Sequence, residues 1–113
     1  MARVDEYKNI VLQALEEHKS PRSSALPDEE HDFIVADEKN GHYQLMSIGW
    51  KEAKRVYGCL VHLDIIEGKI WVQYDGIETG ITERLLELGV PKEDIVLGFQ
   101  MPFKRKFSGF ASG

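Results

Sequence analysis

Two apolar-alternating runs, Arg55 to Ile66 and Lys69 to Asp75, are separated only by Glu67-Gly68, and that spacing constrains the fold more than anything else in the chain. A two-residue loop closes an antiparallel hairpin and leaves one register. In that register Ile65 faces Ile70, Leu63 faces Val72 and Val61 faces Tyr74, so one side of the ribbon is apolar throughout. The other side pairs Asp64 with Trp71, His62 with Gln73 and Leu60 with Asp75. A ribbon with one apolar face needs further layers to cover it.

The rest of the chain supplies them. Val4, Tyr7, Val11, Ala14, Leu15 and His18 recur at helical spacing, with Asp5, Glu6, Lys8, Glu16 and Glu17 on the opposite face, which predicts a helix from Val4 to His18. The segment Ser20 to Glu30, with Pro21, Pro27 and three serines, is expected to be a connecting loop. Phe33 to Asp37 and His42 to Trp50 read as a second hairpin around Glu38-Lys39-Asn40-Gly41. After Asp75-Gly76, Ile81, Leu85 and Leu88 mark another helix, with Thr79 or Thr82 as its N-cap and Gly89 ending it. Ile95 to Leu97 is a last short strand. The predicted fold class is α+β in the order α-β-β-β-β-α-β: a mainly antiparallel sheet with the N-terminal helix and the second helix on one face and the other face open.

At 113 residues the chain fits one domain, residues 1–113, with a basic aromatic tail at 98–113. Its single cysteine, Cys59, excludes an internal disulfide, and alternation sets it on the core side with Val61 and Leu63, away from a histidine base. The sequence shows no apolar run of about 20 residues and no apolar stretch after Met1, so a cytoplasmic location without a membrane contact is expected. The net charge is −5, and it is unevenly placed: up to Asp94 there are eleven basic and nineteen acidic residues, while Lys104, Arg105 and Lys106 stand alone beyond it. An acidic body is expected to meet DNA only indirectly.

Few residues suggest chemistry. His62, Asp64, Asp75 and Glu78 are the set from which a small metal-dependent enzyme would be built, although no second histidine sits at ligand spacing and a solvated sheet face accounts for them as well. Gly76-Ile77-Glu78-Thr79-Gly80 is not a phosphate loop. No cofactor, metal or catalytic residue is therefore assigned. Trp71 falls on the polar face, which fits either a partner contact or packing under a loop. Phe103-Lys104-Arg105-Lys106-Phe107 interleaves rings and cations and suits docking on an acidic protein surface better than single-strand binding. Pro102 and Gly109 exclude a long tail helix, and the four phenylalanines from Phe99 to Phe110 imply a tail ordered by docking, on its own core or on the other subunit of a dimer.

Cys59-Leu60-Val61-His62-Leu63-Asp64-Ile65, Gly68-Lys69-Ile70-Trp71-Val72-Gln73, Asp75-Gly76 and Gly89-Val90-Pro91-Lys92-Glu93-Asp94-Ile95-Val96-Leu97 closely resemble the cyanobacterial XisI family, the fdxN element excision controlling factor proteins. His42-Tyr43-Gln44-Leu45, Gly49-Trp50, Pro102, Arg105, Phe110 and Ala111 extend the resemblance over nearly the whole chain, with departures at Ile77, Gln100 and Met101. The resemblance implies a noncatalytic accessory role in programmed DNA rearrangement during heterocyst development, beside a separate recombinase and an XisH-like protein partner. An antitoxin-like restraint of an XisH-like nuclease is the alternative it leaves. On this reading the protein is a homodimer, and its partner-binding residues are His62, Asp64, Trp71, Gln73, Asp75 and Arg105, with Trp71 exposed in the monomer and Arg105 free to meet a carboxylate.

Overall fold

The computed structural model describes residues 2–20 and 26–113. Of the loop expected from Ser20 to Glu30, residues 21–25 lie outside the described residues, as does the side chain of Val4. Helix α1 (Ala2–His18) is followed by strands β1 (His31–Asp37), β2 (His42–Lys51), β3 (Lys54–Ile66) and β4 (Lys69–Asp75). Helix α2 (Ile81–Glu87), a 3₁₀ turn at Lys92–Asp94, strand β5 (Ile95–Leu97) and the one-turn helix α3 (Pro102–Arg105) complete the chain. The expected α-β-β-β-β-α-β order is present, and α3, opened by its proline at the first helical turn, adds a single turn to the tail. The strands form one five-stranded sheet in chain order, antiparallel except for the parallel β4–β5 pair.

One face of this sheet carries the core. Tyr7, Val11, Ala14 and Leu15 of α1 and Ile81 and Leu85 of α2 pack over Tyr43, Leu45, Val61, Leu63, Ile70, Val72, Ile95 and Leu97, all of them buried. Burying each aliphatic side chain contributes roughly 1.5–3 kcal/mol, so the two helices and the apolar sheet face stabilise one another. Polar ties fix their positions. The Tyr7 hydroxyl donates to Asp94 on the 3₁₀ turn. Arg84 of α2 grips Glu17 of α1 with two parallel hydrogen bonds of 2.6 and 2.9 Å, which hold the Glu17 carboxyl down at about 2. Among the described residues no helix is long and apolar enough to cross a membrane.

The β3–β4 register agrees with the sequence reading near the turn and departs from it further along. Glu67 and Gly68 both take positive φ, 49° and 79°, the geometry of a tight hairpin turn, and Ile65↔Ile70, Asp64↔Trp71 and Leu63↔Val72 pair as expected. Beyond Leu63 a β-bulge makes Gln73 an extra residue, so His62 pairs with Tyr74 instead of Gln73, and Val61 with Asp75 instead of Tyr74. Tyr74 is thereby turned out of the apolar side and is half exposed.

A second bulge lies between β2 and β3. Leu45 pairs with Val61, but the next residue, Met46, pairs with Cys59, leaving Leu60 unpaired with β2. This reverses the expected orientation of Cys59, which shares the open face with Gln44. A third correction concerns α2. Neither Thr79 nor Thr82 caps it: Gly80 occupies the N-cap position without a side-chain bond, and the Asp75 carboxylate accepts the Ile81 N–H at 3.0 Å in its place.

Candidate functional site

The open face of the sheet gathers its polar side chains around Asp64. This residue sits mid-sheet on β3, with His42 of β2 as its direct cross-strand partner and Trp71 of β4 on the other side. The His42 Nδ1 and His62 Nε2 atoms each lie 2.8 Å from the same carboxylate oxygen, Oδ1, while Gln73 Nε2 donates to Oδ2 at 3.2 Å. The two imidazoles stand perpendicular, their centroids 6.3 Å apart. Behind His62, the Gln44 side-chain amide approaches Nδ1 at 3.4 Å and so orients the ring.

Local structure explains why His42 is there. The β1–β2 turn ends at Gly41, whose φ is 76° and whose carbonyl accepts the Ile65 N–H at 2.8 Å. A side-chain carbon at Gly41 would lie 2.6 Å from the Ile65 carbonyl oxygen, so glycine alone lets the turn press against β3 and deliver His42 beside Asp64. Carried straight from the Glu52-Ala53 turn, the β2–β3 register would set His42 opposite Leu63. The extra residue at Leu60 moves it to Asp64.

Charge follows from this geometry. Burial by itself would raise the Asp64 pKa, yet the hydrogen bonds from His42, His62 and Gln73 outweigh it and hold the carboxyl below the usual aspartate value of 3.8. His42 responds reciprocally: its hydrogen bond to Asp64 and the carboxylate charge raise it above 6.5. The Cys59 thiol is pushed up by burial, and a group held as the neutral thiol is a poor nucleophile.

Of the six residues read from the sequence as partner-binding, His62, Asp64 and Gln73 therefore form one network, and Trp71 adjoins it. Asp75 is elsewhere, engaged at the start of α2 through Ile77 and Ile81. Glu78 is exposed outside the network, so His62, Asp64, Asp75 and Glu78, the set from which the alternative metal-dependent enzyme would be built, do not assemble. Among the described residues, the metal-capable group is His42, His62 and Asp64. His42 was missed because its strand position lacks ligand spacing to His62; only the bulged β2–β3 register joins them.

The tail lies across the edge of the same face. Arg105 donates to the Gly98 and Gln100 carbonyls, each at 3.1 Å, and its guanidinium lies 5.1 Å from the centre of the Trp71 ring. Trp71 is consequently half-buried instead of exposed, and Arg105 is turned inward onto carbonyls and the indole instead of being free for a carboxylate. Ala111 donates to the Ile95 carbonyl at 2.9 Å and bridges Val96 in parallel, while Phe110 packs on the core. The tail is thus docked on its own chain, as one of the two expected modes has it. Its other rings are not covered. Phe99, Met101, Phe103 and Phe107 are 54%, 57%, 58% and 77% exposed and, with Lys104, line an open cleft of about 680 Å³.

Comparison with protein families matches residues 1–112 to the XisI protein family. A crystal structure of the fdxN element excision controlling factor XisI from Anabaena variabilis is 32% identical, with a TM-score of 0.80, over 98% of this chain and 99% of its own. An XisI-like protein of the same organism is 31% identical, with a TM-score of 0.76, over 96% of this chain and 94% of its own. Curated proteins give no match.

Proposed function

The chain belongs to the XisI family, and from that premise we propose that it is a noncatalytic regulatory protein of DNA element excision that works by contact with an XisH-like protein. One relative of the same fold and full length is named as an excision controlling factor, which supports a regulatory role. The observation that carries the contact reading is the tail cleft. Phe99, Met101, Phe103 and Phe107 are exposed together along one cleft, and phenylalanine and methionine are enriched at the centres of protein interfaces. Lys104 and Lys106 flank these rings, so the partner surface that fits is apolar at its centre and acidic at its rim. DNA is reached only through that partner, because the acidic body repels a phosphate backbone.

Coexpression with an XisH-like protein tests this. The wild-type chain is expected to copurify as a complex, and the double variant Phe103→Ser, Phe107→Ser to lose it with an unchanged circular dichroism spectrum, because both rings are exposed. A complex that survives in that variant, or none with the wild type, overturns the reading. Light scattering of the isolated chain checks the proposed homodimer, and DNA cleavage by the XisH-like protein with and without this chain reads whether contact restrains a nuclease.

A further inference from the structure

We propose that His42, His62 and Asp64 bind one divalent transition-metal ion on the open face of the sheet. This goes beyond the contact function and does not rest on it. The three candidate ligand atoms, His42 Nδ1, His62 Nε2 and Asp64 Oδ1, all lie within 4.8 Å of one another. Ligands of a tetrahedral zinc ion stand about 3.3 Å apart, so the present 2.8 Å nitrogen-to-oxygen separations need open by only about half an ångström to admit the ion. The His42 and His62 nitrogens, within 4.8 Å of each other, must in turn settle at the same ligand spacing, and the His42 side chain, 55% exposed, has open space beside it in which to turn.

The surroundings match what a metal site requires. Gln73 holds Oδ2 of Asp64 and leaves Oδ1 for the ion. Gln44 faces the remaining nitrogen of His62; with its amide turned over, its oxygen accepts the Nδ1–H and His62 Nε2 is left bare as a ligand. Both first-ring ligands nearest the sheet therefore have outer partners that orient them. Entry is open through His42, whose side chain is 55% exposed, while Asp64 at 9% anchors the floor. Two imidazole nitrogens and one carboxylate oxygen are a donor set for zinc, cobalt or nickel and a poor one for calcium or magnesium, which take oxygen ligands. Three protein ligands leave further positions to water.

Titration of tag-free protein with zinc, followed by calorimetry, and with cobalt, followed by visible absorption, decides the matter. One ion per chain is expected, with magnesium and calcium giving no heat. Because loss of an outer partner typically weakens metal affinity 10–100-fold, Gln73→Ala is expected to bind about 10-fold more weakly and His42→Ala or His62→Ala at least about 100-fold more weakly. His42 is largely exposed, so His42→Ala keeps the fold and gives a clean readout. Absence of stoichiometric binding by the wild type, or binding as tight as the wild type's in either histidine variant, overturns the proposal. Neither result bears on the complex with an XisH-like protein, which is read separately.

Discussion

The Arg105 guanidinium stacks on the Trp71 ring at 5.1 Å, so two residues that stand 34 positions apart and that each suggest an outside partner are engaged with each other. The contact explains how a tail containing Pro102 and Gly109, with only a single helical turn of its own, holds a defined course across the sheet edge.

Removing that contact is expected to loosen the tail before it unfolds the body. Arg105→Ala deletes the stack and the hydrogen bonds to Gly98 and Gln100, and is expected to lower stability by about 1–3 kcal/mol. Hydrogen exchange checks the location of the effect: amides in residues 98–113 should lose protection while those of β2 and β3 keep theirs. An unchanged tail would contradict the docking role of Arg105.

The Tyr43 hydroxyl is buried and has no hydrogen-bond partner among the described residues, although its ring is a fully enclosed member of the core. An unmade buried hydrogen bond costs about 1–3 kcal/mol relative to a filled one. Tyr43→Phe keeps the ring and removes the hydroxyl, so it is expected to raise stability, by about 1 kcal/mol. Denaturant unfolding measures this; a clear loss of stability would show that the hydroxyl is satisfied in solution.

The Asp64 network predicts opposite pH dependences for its two ends. His42 is raised above 6.5 by its hydrogen bond to Asp64, so it favours the folded state fully below pH 6.5 and loses that contribution as pH rises through its folded-state value. Asp64 is depressed below 3.8, so its contribution is present above pH 3.8 and disappears as pH falls through its own lowered value. Stability from this pair is therefore greatest between pH 3.8 and 6.5. Proton NMR of the His42 ring in wild type and in Asp64→Asn provides the check: the titration midpoint should lie above 6.5 and fall in the variant. A midpoint that does not move would detach His42 from Asp64.

The element types and their order are written in the chain itself, because helical and strand periodicities are local and the Glu67-Gly68 loop admits one pairing at the head of β3 and β4. Leu63 against Val72, Asp64 beside Trp71 and the apolar face beneath α1 and α2 all follow from that. The two bulges do not. An extra residue at Leu60 or Gln73 leaves the apolar pattern on either side intact, yet each shifts every pairing beyond it by one position and so reverses which face a side chain meets. Cys59 and Tyr74 changed faces for this reason, and His42 came opposite Asp64. The tail, too, was decided by packing: aromatic and basic residues fit several docks equally well, and only the tertiary structure brought the Trp71 ring within reach of Arg105 and left Phe103 and Phe107 uncovered. Periodicity records which residues prefer a core; which polar residues meet across a sheet depends on a register set by contacts between strands distant along the chain.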